Sequence, residues 1–286
     1  MEIIMKNKSI GVIGGGFVGG AVARGFVEYV DKLCIYDINP KLSTHDFEEV
    51  VGSDFVFVCL PTPMTDEDGG DANLSIIEDF FDRAFELNAN KKTIFIIKST
   101  VPVGTTKELC RKHLTGRILH SPEFLTARCA LVDFITPARN IVGGSSNCVD
   151  EIRKLYQYRF PGTETICMSS DESEMVKYVA NTFFATKVMF FNEMKLLSDK
   201  FDLNWDTVMQ GVISDGRIGQ SHHKVPGPDG HPGIGGACFP KDINALIKTF
   251  EKNGLDPKII RSVWEQNLFI RQDRDWAGMK SAVSKK

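Results

Sequence analysis

Ser9-Ile10-Gly11-Val12-Ile13-Gly14-Gly15-Gly16-Phe17-Val18-Gly19 is the stretch from which the fold can be read. A short apolar run of strand length meets G-x-G-x-x-G, and a helical pattern, Val18–Tyr29, follows at once. In such a strand–turn–helix the first glycine allows the tight turn. The second lets the backbone approach a pyrophosphate, and the third lets helix and strand pack closely. The phosphates would rest on N–H groups at the helix N-terminus. The next apolar run ends at Asp37, 18 residues past Gly19. A carboxylate there accepts hydrogen bonds from the adenosine ribose hydroxyls and repels a 2′-phosphate, which selects NAD over NADP.

Outward from this turn, short apolar runs alternate with helical patterns. Strands are predicted at Ser9–Ile13, Lys32–Tyr36, Phe55–Cys59, Thr93–Ile97, Gly116–Leu119, Asn140–Val142 and Thr163–Cys167, and helices at Ser75–Leu87, Thr105–His113 and Val149–Tyr158. The alternation predicts an α/β fold, a Rossmann-like doubly wound and mostly parallel sheet covered on both faces. The texture changes near residue 169. A long amphipathic helix, Asp171–Phe201, starts with acids that suit its dipole, and Asn204 reads as the cap of a helix over Trp205–Ile213. Residues 214–240 read as loop. Two helices, Asp242–Asn253 and Pro257–Met279, precede a frayed tail, KSAVSKK. The expected domains are residues 1–168, binding NAD, and an all-helical dimerisation and substrate domain over 169–286.

The 286 residues are 42% hydrophobic and 25% charged, with a net charge of −3. That excludes disordered and fibrous classes, and the absence of a basic stripe argues against nucleic acid. No apolar run has the length of a membrane span, and the start lacks the apolar core of a signal peptide. Seven cysteines, an odd number without C-x-x-C, predict reduced thiols and a cytoplasmic protein. No metal is expected: His222-His223 lacks a third ligand at helical spacing and reads as polar loop.

Sheets of this kind bind ligands beyond the carboxyl ends of their strands. CLPTPM offers Thr62 there, KSTVPVGTT offers Ser99 and Thr100, and HSPEFLTA offers Glu123, preceded by the stiff Pro122 and followed by Phe124 and Leu125. Cys238 lies in GGACFPKD, where Gly235 and Gly236 would leave room for a ligand and Lys241 would favour a thiolate. Asp242 suits either proton transfer or a helix cap. Glu174, Lys177 and Asn181 share one helix face. An ammonium and an amide one turn apart can stabilise an oxyanion; the same spacing also describes a solvated face with a Glu174–Lys177 ion pair.

Taken in order, GVIGGGFVG, CLPTP, KSTVPVGTT, SPEFL, EMVKYVANTFFATKV, RIG at Arg217–Gly219 and GGACFPKD resemble the UDP-glucose/GDP-mannose dehydrogenase family. The resemblance implies two successive NAD-dependent oxidations of a nucleotide-sugar C6 alcohol to the carboxylate, with UDP-glucose the leading substrate. GDP-mannose, a UDP-N-acetylhexosamine, and an NAD-binding protein without turnover are the alternatives. By resemblance Cys238 forms a thiohemiacetal and then a thioester. Lys177 and Asn181 stabilise the reacting oxygen, Asp242 works with a water, and Glu123 and Thr100 serve hydrolysis. The implied cofactor contacts are Gly14, Gly16, Phe17, Val18, Gly19, Asp37, Thr62, Ser99 and Thr100. The implied substrate contacts are Glu123, Phe124, Leu125, Lys177, Asn181, Arg217, Gly235 and Lys241, with Arg217 reaching a neighbouring subunit of a homodimer. Two departures are expected to matter. Ala127 stands where the family often has a second glutamate, and the chain is read as lacking the family's C-terminal nucleotide-sugar-binding domain.

Overall fold

A computed structural model describes residues 7–87, 92–126 and 128–284; Ala127 lies outside them. The chain divides into two compact units, Met1–Thr62 with Leu74–Lys177, and Pro63–Asn73 with Tyr178–Lys286.

The first unit carries seven strands among the described residues: β1 (Ser9–Ile13), β2 (Lys32–Tyr36), β3 (Phe55–Val58), β4 (Ile94–Ile97), β5 (Ile118–His120), β6 (Asn140–Gly143) and β7 (Thr165–Met168). They form one sheet in the order β2-β1-β3-β4-β5-β6-β7. All pairings are parallel except β5 with β6, which meet antiparallel through His120 and Gly143. The period-2 alternation of side chains sorts the strands onto two cores. Ile10, Val12, Phe55, Phe57, Ile94 and Ile96 face one, and Ile13, Val56, Val58, Phe95 and Ile97 the other. Both faces are covered, which is why these strands read as continuous apolar runs.

The covering helices are α1 (Phe17–Phe26), α2 (Phe47–Val51), α3 (Ser75–Glu86), α4 (Thr105–Lys112), α5 (Ala130–Ile135) and α6 (Ser146–Arg159). α2 and α5 are too short to show a helical period, and the sequence reading missed them. Strand order reverses at β1, between β2 and β3, which opens the ligand crevice typical of such sheets.

α7 (Ser170–Lys200) starts on a capping box. The Ser169 hydroxyl and N–H donate to Glu172 at 2.7 Å, and Glu172 N–H donates back to Ser169 Oγ at 3.3 Å. α8 (Trp205–Ile213) is capped by Asn204, whose Oδ1 accepts from Thr207 N–H at 3.0 Å. α9 (Cys238–Lys252) and α10 (Lys258–Ile270) complete the second unit with a short 3-10 turn at Asp275–Gly278.

Three boundaries differ from expectation. α9 starts at Cys238, so Asp242 is its fifth residue and not its cap. α10 stops at Ile270 because Arg271 turns extended, with its guanidinium buried between Asp229 at 2.9 Å and Asp275 at 3.1 Å. The tail is tied down through Ser284: Met64 N–H donates to Ala282 O at 2.7 Å, and Ser284 N–H to Met64 O at 2.9 Å. The core of this unit gathers Met64, Met189, Ile234, Ile243, Trp264 and Trp276.

Candidate functional site

The glycine turn has the shape its sequence demands. Gly14 has φ +91°, and a Cβ there would lie 2.5 Å from Cys59 O. A Cβ at Gly19 would fall 1.8 Å from Gly14 O, so the helix meets the turn only without a side chain. Gly16 precedes α1 with nothing within 4 Å of its Cβ position. Phe17 is exposed and Val18 half-buried, so the helix N-terminus is open. Asp37 Oδ2 accepts from Gly15 N–H at 2.7 Å and Oδ1 from Asn39 N–H at 2.7 Å. Each oxygen keeps a lone pair, so these residues fit a dinucleotide: a bare turn for the pyrophosphate and a fixed carboxylate for a ribose.

The strand-end loops are fastened to one another. Thr62 Oγ1 donates to Thr100 O at 2.7 Å, and Ser99 Oγ to Leu60 O at 2.6 Å. Both hydroxyls thereby set the loops' shape. His120 Nε2 lies 3.3 Å from Ser99 O. A carbonyl only accepts, so Nε2 carries the proton and Nδ1 accepts from Ser173 Oγ at 2.8 Å. Burial, chiefly, drives His120 down to about 3, so the ring is neutral.

Glu123 and Lys177 come together. Lys177 Nζ donates to Glu123 Oε1 at 2.9 Å and to Glu123 O at 2.5 Å, and Leu125 N–H donates to Oε2 at 2.6 Å. Burial alone would raise the Glu123 carboxyl. The charge and hydrogen bond of Lys177, the Leu125 N–H and the charge of Lys98 together hold it below the usual carboxylate range. Lys177 also lies 5.3 Å from the centre of the Phe124 ring.

The solvated-face reading of this helix is corrected. Lys177 is 3% exposed and Glu174 fully buried. Glu174 turns to α4 instead of Lys177, accepting from Gly104 N–H at 2.6 Å, Thr106 N–H at 2.8 Å and Thr106 Oγ1 at 2.6 Å. A carboxylate thus satisfies N–H groups at the start of a helix.

In the second unit Asp242 is buried between two donors, Asn181 Nδ2 and Lys241 Nζ, each at 2.5 Å. Cys238 is exposed and opens α9, one turn before Asp242, which puts thiol and carboxylate on one helix face. The preceding loop is pinned by buried amides: Asn192 Oδ1 accepts from Gly233 N–H and Asn267 Oδ1 from Ile234 N–H. At Gly235 the space is taken by protein, since a Cβ would lie 2.2 Å from Arg271 Nη2; at Gly236 it is open. Arg217 is exposed and gives its guanidinium to Asp215.

The sequence reading missed Lys98, Asn192, Asn267 and Arg271. Lys98 stands inside the quoted KSTVPVGTT, and its signal was a charge ending an apolar strand. The others sit in helical patterns where polar residues usually face water. Among the described residues Cys34, His45 and Glu49 bring their ligand atoms within 4.8 Å of one another, but Lys32 already pairs with Glu49. No helix among the described residues is long and apolar enough to cross a membrane.

Residues 39–159 match the model of the UDP-glucose/GDP-mannose dehydrogenase family, NAD binding domain, and residues 171–268 that of the family's central domain. A UDP-glucose 6-dehydrogenase of Rickettsia felis is 34% identical over 225 residues, 77% of this chain and 48% of its own. One from Campylobacter jejuni is 32% identical over 255 residues, 85% of this chain and 61% of its own. The chain thus spans about half the length of the first of these curated relatives. A solved UDP-glucose dehydrogenase of Pyrobaculum islandicum superposes with a TM-score of 0.82 at 28% identity, over 93% of this chain and 69% of that one.

Proposed function

Because this chain belongs to the UDP-glucose/GDP-mannose dehydrogenase family, we propose that it oxidises the C6 alcohol of a nucleotide sugar, UDP-glucose first among them, to the carboxylate in two NAD-dependent steps. The observation that carries this reading is Cys238 one turn before a buried Asp242 that two donors hold in place. Covalent aldehyde oxidation needs a nucleophile and a group to take up protons, and a thiol and a fixed carboxylate on one helix face can supply both.

Gly14, Gly16, Phe17, Val18, Gly19 and Asp37 would hold NAD, with Thr62, Ser99 and Thr100 lining the strand ends. NAD, when bound, takes up the hydride in each oxidation. Lys177 and Asn181 would steady the C6 oxygen as it loses its proton, and Asp242 would receive that proton through a water. The Cys238 thiol would then add to the aldehyde carbon, its proton passing to the carbonyl oxygen, and the thiohemiacetal would lose hydride and its hydroxyl proton to leave a thioester. Glu123 and Thr100 would direct water onto the thioester carbon, releasing carboxylate and thiol. Phe124, Leu125, Lys241 and the Gly235 loop would bind the sugar nucleotide. Arg217 would act across a homodimer, and the seven cysteines, none in a disulfide, suit the cytoplasm.

The test is the purified chain with NAD and a panel of nucleotide sugars, following NADH and product. Two NADH per UDP-glucose consumed are expected, with no uronate from Cys238→Ser. Faster turnover of GDP-mannose or a UDP-N-acetylhexosamine would reassign the substrate. NAD binding with no turnover of any sugar would overturn the enzymatic reading.

A further inference from the structure

One buried charge in the first unit has no part in the steps above. Lys98 directly follows β4 and is 6% exposed. Its Nζ lies 3.2 Å from Pro122 O and 3.4 Å from Ser121 Oγ, and Ser121 Oγ in turn pairs with Tyr156 Oη at 2.9 Å. Lys177 Nζ lies 2.5 Å from the next carbonyl, Glu123 O. Two ammonium groups from separate elements therefore grip successive carbonyls of one loop, and a single carboxylate, Glu123, stands beside both.

Burying an ammonium costs several kcal/mol before its partners offset it, and an apolar residue of similar length often serves stability as well or better. Stability alone gives no reason for a lysine here. What lysine adds is a donor for the Pro122 carbonyl and a positive charge beside Glu123.

We propose that Lys98 is a positioning residue that, with Lys177, clamps the Pro122–Glu123 backbone and holds the Glu123 carboxylate in one orientation. The inference rests on the reading of Glu123 as the group that directs water in the proposed oxidation. The charged and titratable groups facing Lys98 are Cys59 after β3, Glu123 after β5, Lys177 on α7 and the neutral His120 on β5. Burial pushes the Cys59 thiol up to about 12, so it stays protonated and adds no charge. Burial also brings Lys98 down to about 8. The clamp is thus charged at neutral pH and loosens above it, which places a basic limb near pH 8 on kcat.

The experiment follows the side-chain carboxyl of Glu123 by carbon-13 NMR through a pH titration in the unmodified protein, Lys98→Met and Lys98→Arg. Lys98→Met is expected to shift the Glu123 midpoint upward and to lower kcat about a hundredfold, with KM within about twofold, as a misplaced reacting group does. Lys98→Arg keeps its charge at every accessible pH. It should leave the Glu123 midpoint low, restore part of kcat and abolish the basic limb. An unmoved Glu123 midpoint in Lys98→Met, or unchanged kcat, overturns the proposal. A shifted midpoint in a chain that oxidises no nucleotide sugar keeps the clamp and overturns the oxidation reading. If Lys98→Met does not fold, nitrogen-15 lysine labelling decides: Glu123→Gln must lower the Lys98 midpoint, and no movement refutes the coupling.

Discussion

At the scale of single residues, His120 shows how the site's rigidity carries a penalty in acid. Its ring is fully buried and neutral, held between Ser99 O and Ser173 Oγ. Its folded value of about 3 lies below the ordinary 6.5 of an exposed histidine. A depressed value stabilises the fold above pH 6.5 and loses that stability as pH falls toward 3, because the unfolded chain binds the proton first. The slope is about 1.4 kcal/mol per pH unit between roughly pH 6 and 4. Glu174, which burial pushes up to about 7, works with the opposite sign in the same window. The comparison must therefore be a difference: His120→Gln should be less stable at pH 8 but lose less on acidification, measured by urea midpoints across pH. Equal slopes would show that the histidine is not the group that titrates. Glu123 could be picked from HSPEFL because a lone carboxylate at a strand end is conspicuous. His120, three residues earlier, could not, since nothing local reveals that its partners come from β4's end and α7.

At the scale of elements, α7 divides its two faces unusually. Ser173, Glu174, Lys177, Asn181 and Asn192 are buried along with Tyr178, Ala185, Met189 and Phe191, while Val179, Phe183, Phe190, Met194 and Leu197 are exposed. These apolar residues recur at spacings of three, four and seven, one continuous stripe along the helix. An exposed stripe of that length marks a contact surface, and it supports the proposed homodimer. Phe183→Glu with Phe190→Glu should convert a dimer to a monomer in sedimentation without loss of helicity; a monomeric unmodified chain would refute the dimer. The helix itself was legible from its length and acidic start. The burial of its polar residues was not, because an i,i+3 Glu–Lys pair looks the same whether the two side chains meet each other or, as here, reach Thr106 and Glu123 separately. The β strands were legible for a simpler reason: burial on both sheet faces leaves uninterrupted apolar runs.

At the scale of the whole molecule, the chain order hides one excursion. After Thr62 the chain leaves the first unit, and Pro63–Asn73 belongs to the second before Leu74 returns. No sequence signal marks this, since TDEDGGDAN reads as an ordinary polar loop. Its place is fixed by residues some two hundred positions later. Trp264 Nε1 donates to Asp68 O at 2.9 Å and Trp276 Nε1 to Glu67 O at 3.0 Å. Lys252 pairs with Asp71 and Arg274 with Asp68. Trp276 and Met64 are fully buried in the same core. The second unit is therefore complete only with a segment encoded inside the first. Trp276→Ala in the full chain removes both a large core side chain and a backbone partner, and should cost about 3–5 kcal/mol in urea unfolding. A chain of residues 169–286 alone would lack Pro63–Asn73 and leave Trp264 and Trp276 uncovered. It should show red-shifted tryptophan emission and no cooperative thermal transition, because a helical unit without part of its core keeps helices but not fixed packing. A sharp transition with blue-shifted emission in that fragment would mean that Tyr178–Lys286 builds its core unaided, and that the excursion is a passenger on it.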